Sequence, residues 1–239
     1  YAKIGYNKEV DRYCLKKSED SWKDQTYALW GLKQESLSRT LLPLGKYTKT
    51  QIRELATNFG LKTANKPDSQ EICFVADNNY ERFLRERVPE KINNMVEGDL
   101  IYHGKVIAQH RGIPFYTVGQ RKGLGIALGK PVYVKSINVE DNTVEIADKD
   151  ELLENELLAD DINFVSKSIL NEGDTVLAKI RYSDPGSEAV IMSADENQIK
   201  LKFLEPKSAI TPGQSLVVYD FDGYVLAGGV IRKFEFNKE

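Results

Sequence analysis

Thiols and imidazoles are scarce: the 239 residues hold two cysteines and two histidines. Cys14 and Cys73 make no disulfide framework, and a reducing, cytoplasmic setting is expected. No Cys/His group has zinc spacing, so no metal site is expected. No apolar run reaches the roughly 18 residues of a membrane helix, and no charged-then-apolar leader is visible, so no membrane partner is expected. Nothing in the sequence makes a Ser/His/Asp set, a paired-carboxylate glycosidase site or a nucleotide P-loop. The chain opens on Tyr1 in what reads as mid-strand, as a piece of a longer polypeptide would.

Acid is missing locally. From Ile101 to Lys135 there are six Lys or Arg (Lys105, Arg111, Arg121, Lys122, Lys130, Lys135), both histidines (His103, His110) and no Asp or Glu. From Ser136 to Thr175 the balance reverses, with twelve Asp or Glu against Lys149 and Lys167. The net charge of −3 hides this asymmetry. An acid-free basic stretch fits contact with a polyanion; the plain alternative is a solvated surface with chance clustering.

Helical periodicity is confined to the first third. Residues 1–17 alternate as a hairpin would, broken at "NKEVDR". "SEDSWKDQTYALWGLKQESL" reads as a helix start capped by Asp20 or Ser21. "TKTQIRELATNFG" is the clearest helix, with Thr48 or Thr50 as cap, Ile52, Leu55, Ala56 and Phe59 on one face and Gly60 at the left-handed stop. A short helix is expected at Tyr80–Arg87, stopped before Pro89.

Beyond Pro89, short alternating runs take over: "DLIYHG", "KVIAQH", "PFYTVG", "PVYVKSINVE" and "TVEIAD". A second set of five follows, "TVLAKIRYS", "EAVIMS", "QIKLKFLE", "SLVVYD" and "YVLAGGVIRKFEF", as in a small antiparallel barrel or sandwich. Val176, Ala178, Ile180 and Tyr182 are expected on one face, as are Ile199, Leu201 and Phe203. The acidic "DKDELLENELLADD" between the sets reads as a junction. The expected fold class is α+β in three pieces: a mostly helical part at 1–86, a small β domain at 87–152 and a β barrel at 153–239.

Four places carry candidate chemistry. Cys73 in "PDSQEICFV" is a small buried hydrophobe or a reactive thiol; Asp68 and Glu71 at capping-box spacing would put free N–H groups nearby, and such groups lower a thiol's pKa. "TVGQRKGLGIALGKPVYV" sets Arg121, Lys122 and Lys130 on a glycine-rich loop that brings amides and cations to phosphate. Its GxGxxxG spacing, running into a strand, is no dinucleotide fingerprint. Lys23, Asp24 and Gln25 in "KDQ" and Arg181 and Tyr182 in "RYSDPG" supply groups that bind phosphate or stack on a base, or else form ordinary surface. Gln214 follows a Pro212-Gly213 type II turn signal and is placed to read a base edge, or simply ends a hairpin turn.

Taken in order, the segments "KDQTYALWGL", "LLPLGKYTKTQIRELA", "DSQEICFV", "GIPFYTVGQRKGLG", "IRYSDPG" and "ITPGQSLVVYDFDGYVLAGGVI" resemble the bacterial tRNA-specific 2-thiouridylase family across nearly the whole chain. The resemblance implies that 1–86 is the helical remnant of a Rossmann-like catalytic domain. It implies replacement of the C2 oxygen of a wobble uridine by sulfur: ATP, with Mg, adenylates that oxygen, and a cysteine persulfide delivers the sulfur. Cys73 then matches the persulfide carrier. Lys23, Asp24, Gln25, Arg181, Tyr182 and Gln214 match tRNA contacts, and Arg121 and Lys122 meet tRNA backbone. The implied partners are tRNA and a persulfide donor, a cysteine desulfurase or a sulfur-relay protein. The family's "SGGVDSS"-type ATP loop, an Asp and a first catalytic cysteine do not occur in these residues, and Cys14 matches none of them. The chain alone is therefore expected not to thiolate tRNA. The rival reading is a non-catalytic RNA-binding module. A methyltransferase, the third, would need an S-adenosylmethionine-binding strand, glycine loop and helix that the sequence does not show.

Overall fold

In the computed structural model, residues 1–66, 75, 79–93 and 95–232 are described. A hairpin of β1 (Lys3–Asn7) and β2 (Arg12–Lys16) leads to helices α1 (Thr26–Leu29), α2 (Gln34–Ser38) and α3 (Lys49–Asn58). Helices α4 (Tyr80–Arg87) and α5 (Pro89–Asn93) precede strands β3 (Gly98–Tyr102), β4 (Lys105–His110), β5 (Tyr133–Asn138) and β6 (Thr143–Ala147). Six strands follow: β7 (Leu153–Phe164), β8 (Thr175–Lys179), β9 (Ser187–Ala194), β10 (Gln198–Ser208), β11 (Ser215–Tyr219) and β12 (Val225–Arg232). The class is α+β. Among the described residues, no helix is long and apolar enough to cross a membrane.

The chain divides into two compact units. One joins Tyr1–Asn65 to the residues from Glu154 on, and the other is Lys66–Leu153.

In the first unit, the last six strands close into an antiparallel barrel in the order β10-β7-β12-β11-β8-β9. Val176, Ala178, Ile191, Leu201, Phe203 and Val218 fill its interior. Strand β11 is apolar on both faces for a reason. Leu216 and Val218 point into the barrel, while Val217 and Tyr219 point outward and pack under Ala2, Leu15, Tyr27 and Leu37. Each strand side thus meets a different core, as the period of two requires. Gln34 adds a polar clasp: it accepts from the Tyr13 amide at 2.7 Å and donates to the carbonyls of Tyr13 and Val165 at 3.0 and 2.9 Å.

Three sequence expectations change here. The acidic run taken as a junction contains the start of β7, a full barrel strand; Leu157 and Ala159 are buried, and Asp160 faces out to Arg232 at 2.6 Å. The helix expected after Asp20 is two short helices, interrupted at Gly31 and neighbours. Asp20 caps a different helix, accepting from the amide of Lys49, the first residue of α3. Tyr182 lies beyond β8 and is exposed, out of line with buried Val176, Ala178 and Ile180. Helix α3 itself stands as read, with a reciprocal box between Thr48 and Gln51 and Gly60 at φ +66°.

The second unit is a four-stranded sheet, β4-β3-β6-β5, with β3 and β6 parallel. Leu100, Val134, Val144 and Ile146 form its core with Tyr116 and Leu124. The run "PFYTVG" is a 3-10 turn at Ile113–Phe115 and loop, not a strand. Pro114 supplies no amide for a ladder, and Gly112 turns the backbone at φ +119°. His110 is buried in this unit. Its Nδ1 accepts from the Gly112 amide and its Nε2 meets the Asn142 carbonyl, each at 3.0 Å, so it serves as a structural residue.

Candidate nucleic-acid interface

Tyr27 is the hub of the first unit's site. Helix α1 seats it over the outer face of β11, where its hydroxyl donates to the Ser215 carbonyl at 2.8 Å. Burial, and then the negative charge of Asp184, push its pKa up to about 12, so it stays a donor. Its ring meets that of Tyr182 edge-on, with centroids 6.3 Å apart. Trp30 donates to the Ser215 hydroxyl at 3.0 Å. Its ring lies on the backbone of Gly228, where an added Cβ would come within 2.6 Å of it.

These contacts bring together three segments separated by up to about two hundred residues of chain. Lys23, Asp24 and Gln25 directly precede α1. Lys23 is half-buried and Gln25 exposed, while Asp24 is buried and accepts from the Ser18 amide at 3.0 Å and the Thr26 hydroxyl at 2.5 Å. The carboxylate of Asp24 thus holds the segment in place from within. Gln214 neighbours Ser215 and is exposed at the end of a type II turn: its amide donates to Thr211 at 3.1 Å, and Gly213 sits at φ +86°.

Arg181 and Tyr182 sit on the loop after β8. Tyr182 is 52% exposed, and Arg181 donates to the Ser208 carbonyl at 2.7 Å. Asp184, which the sequence reading passed over, builds this loop. Buried, it accepts from Lys207 at 2.9 Å and from the amides of Gly186 and Ile180 at 3.0 and 3.1 Å. Burial works to raise its pKa, but Lys207 and the two amides hold it below the ordinary carboxylate range.

Arg121 and Lys122 belong to the second unit. Gln120 accepts from the Thr117 amide and donates to the Lys122 carbonyl, each at 2.9 Å, which fixes the start of the glycine-rich loop. Both cations are exposed, and neither has an ion-pair partner among the described residues. The loop borders a cavity of about 450 Å³ lined by Arg121, Leu124, Leu128, Lys130 and Val132.

Most other charges of the acid-free stretch are matched by acids outside it. Arg111 pairs with Glu81 at 3.1 Å, Lys130 with Asp148 at 2.8 Å, and Lys135 with Glu145 at 3.4 Å. His103 approaches Glu151 at 3.0 Å and Asp148 at 3.8 Å. His103, Asp148 and Glu151 have ligand atoms close enough for one cation, but Lys130 and Lys135 already engage the carboxylates. The Asp148 partner, then Tyr102, raises the Lys130 pKa, and Lys130 lowers that of Asp148.

Cys73 lies outside the described residues, as do Asp68, Ser69, Gln70 and Glu71. Cys14 is buried, its Sγ 3.7 Å from the Arg12 carbonyl, as a packing residue would be. ATP and Mg find no fit among the described groups. The first turn of α3 is capped by Thr48 and by the Asp20 carboxylate, which repels phosphate. The glycine-rich loop runs into β5 rather than a helix.

Three family models match in succession: a tRNA methyl transferase HUP domain at residues 1–77, a tRNA methyl transferase PRC-barrel domain at 81–148 and an aminomethyltransferase beta-barrel domain at 154–231. Over 232 residues the chain is 49% identical to the tRNA-specific 2-thiouridylase MnmA of Acetivibrio thermocellus, covering 97% of this chain and 64% of that protein. It is 48% identical to the proteins of the same name from Salinibacter ruber, over 98% of this chain and 61% of the relative, and Clostridioides difficile, over 98% and 64%. The chain thus spans a little under two thirds of the length of these relatives.

Proposed function

The chain belongs to the tRNA-specific 2-thiouridylase family, and from that premise we propose that it serves the 2-thiolation of a tRNA wobble uridine by holding the RNA and carrying sulfur. The observation that carries this reading is the convergence on Tyr27 of three segments that the family resemblance assigns to tRNA contact: Lys23–Gln25, Arg181–Tyr182 and Gln214. Exposed Tyr182 offers a base a stacking face, Arg181 and Lys23 offer phosphate a charge, and Gln214 offers a base edge an amide. Asp24 acts from behind, by fixing Lys23 and Gln25. Arg121 and Lys122 add a backbone contact on the second unit.

Cys73 is the proposed sulfur carrier. A cysteine desulfurase or sulfur-relay protein loads it as a persulfide. The terminal sulfur forms the new bond to uridine C2, whose activated O2 leaves, and a second thiol releases the sulfur by exchange, itself ending in a disulfide with Cys73. ATP-dependent adenylation of O2 has no seat among the described residues, and the chain alone is proposed not to complete the reaction.

The test is mass spectrometry after incubation with a cysteine desulfurase and cysteine. The Cys73 peptide should gain the mass of one sulfur atom, and Cys73→Ser should not. No added sulfur on Cys73, with tRNA binding intact, would favour a non-catalytic RNA-binding module. Formation of 2-thiouridine by this chain with ATP, Mg, donor and tRNA would overturn the proposal that it does not act alone.

A further inference from the structure

Two lysines outside the contact segments lie against the tyrosines of the same unit. Lys17 follows β2, and its amide donates to the Gly223 carbonyl at 2.9 Å. Its ammonium stands 4.3 Å from the centroid of the Tyr219 ring. Lys179 ends β8 between buried Ala178 and Ile180, so its side chain leaves the barrel outward, and its ammonium stands 5.8 Å from the centroid of the Tyr27 ring. The two tyrosines are joined through α1: Thr26, next to Tyr27, has its hydroxyl 3.2 Å from that of Tyr219.

This platform holds two positive charges against one carboxylate, Asp24, that no cation pairs among the described residues. Neither lysine makes an ion pair among the described residues. The carboxylates that act on Lys179 are Asp24 and Asp184; Lys207 offsets Asp184, while Asp24 is held by the Ser18 amide and the Thr26 hydroxyl and leaves one negative charge for the two lysines. Burial, then repulsion by Lys17, lowers the pKa of Lys179 despite those two acids. Both lysines are half-buried against tyrosine rings, which limits their freedom and reduces the ordering cost of binding an anion. An anion placed between them relieves their repulsion.

The neighbours say which anion. Tyr182 is half-exposed beside Tyr27, and Arg181 lies two residues beyond Lys179. An aromatic face next to a cation pair suits a nucleotide, whose base stacks while its phosphate is neutralised. We propose that Lys17 and Lys179 form a two-lysine seat for a backbone phosphodiester of the bound RNA. The inference rests on the RNA-binding reading and extends it to residues that no resemblance assigns.

The test is the affinity of the chain for an unmodified tRNA transcript with a wobble uridine, measured from 50 to 200 mM KCl. Wild type is compared with Lys17→Gln, Lys179→Gln, the double variant, the double Arg variant and Lys202→Gln as an exposed control. Each Gln substitution should reduce the slope of log affinity against log salt by about 0.7–0.9. Across that range wild type should lose about tenfold more affinity than the double Gln variant. The double Arg variant should keep the slope, and so should Lys202→Gln. A double Gln variant that folds, by circular dichroism, and binds with wild-type affinity and slope overturns the seat. If Arg181→Gln and Tyr182→Ala weaken binding while the lysine variants do not, the seat alone falls. If the wild-type chain fails to bind tRNA, the RNA-binding reading falls and the seat with it.

Discussion

The hydroxyl of Tyr27 donates to the backbone carbonyl of Ser215 at 2.8 Å, tying α1 to the residue that follows Gln214. One side chain therefore sets the spacing between two proposed RNA contacts, and its ring edge meets a third at Tyr182.

Tyr27→Phe and Tyr182→Ala should separate support from contact. Tyr27→Phe leaves the Ser215 carbonyl without this donor and should cost about 1–2 kcal/mol of stability, read by urea denaturation. Tyr182 is half-exposed, so Tyr182→Ala should leave stability within about 0.5 kcal/mol of wild type. It should weaken RNA binding by the about 1–3 kcal/mol that base stacking contributes.

Asp184→Asn should unfold more easily, because it leaves Lys207 half-buried beside a neutral partner. The expected loss is about 3 kcal/mol at neutral pH. Its carboxyl is held below the ordinary range, so it contributes fully above the unfolded pKa of about 3.9 and loses that contribution as pH falls through the lower folded value. The stability gap between wild type and variant should be constant above about pH 5 and narrow below that unfolded pKa.

Gly228→Ala should push Trp30 off the barrel. The glycine carries no backbone strain, so the whole effect is the collision of Cβ with the indole. Overpacking of this kind costs about 1–3 kcal/mol. A thermal melt should show the loss, and Trp30 fluorescence should shift as the indole leaves Ser215.

Arg121→Glu with Lys122→Glu should weaken tRNA binding and flatten its salt dependence, because neither cation is matched among the described residues. Lys130→Gln removes a charge that Asp148 already balances and should change the slope far less. Equal effects from both would place the RNA elsewhere on the unit.

What was legible in the sequence was what local chemistry decides. A threonine cap at Thr48 and the stop at Gly60 bound α3, and alternation marked β8 through β12 because each strand has its inward face in the barrel. Strand β7 was hidden by its acids: only Leu157 and Ala159 of its early residues are buried, and the charge run outweighed that short alternation. The acid-free stretch misled in the opposite way. Its counter-charges come from Glu81, Glu145, Asp148 and Glu151, which lie outside that stretch and which sheet pairing and packing bring alongside. For the candidate site, the segments were readable one by one. That Tyr27 joins them depends on a contact across more than 150 residues, and Asp184 shapes one of them partly through Lys207 on another strand.

Strand β11 belongs to two cores, and this gives the chain an order of assembly during synthesis. Ala2, Leu15, Tyr27 and Leu37 leave the ribosome long before Val217 and Tyr219, the residues they pack against. At about 5–20 residues per second, the first segment waits on the order of 10–40 s for its partner strand. Through that interval these four residues lack the strand that covers them in the folded unit, so their packing waits on completion of the barrel.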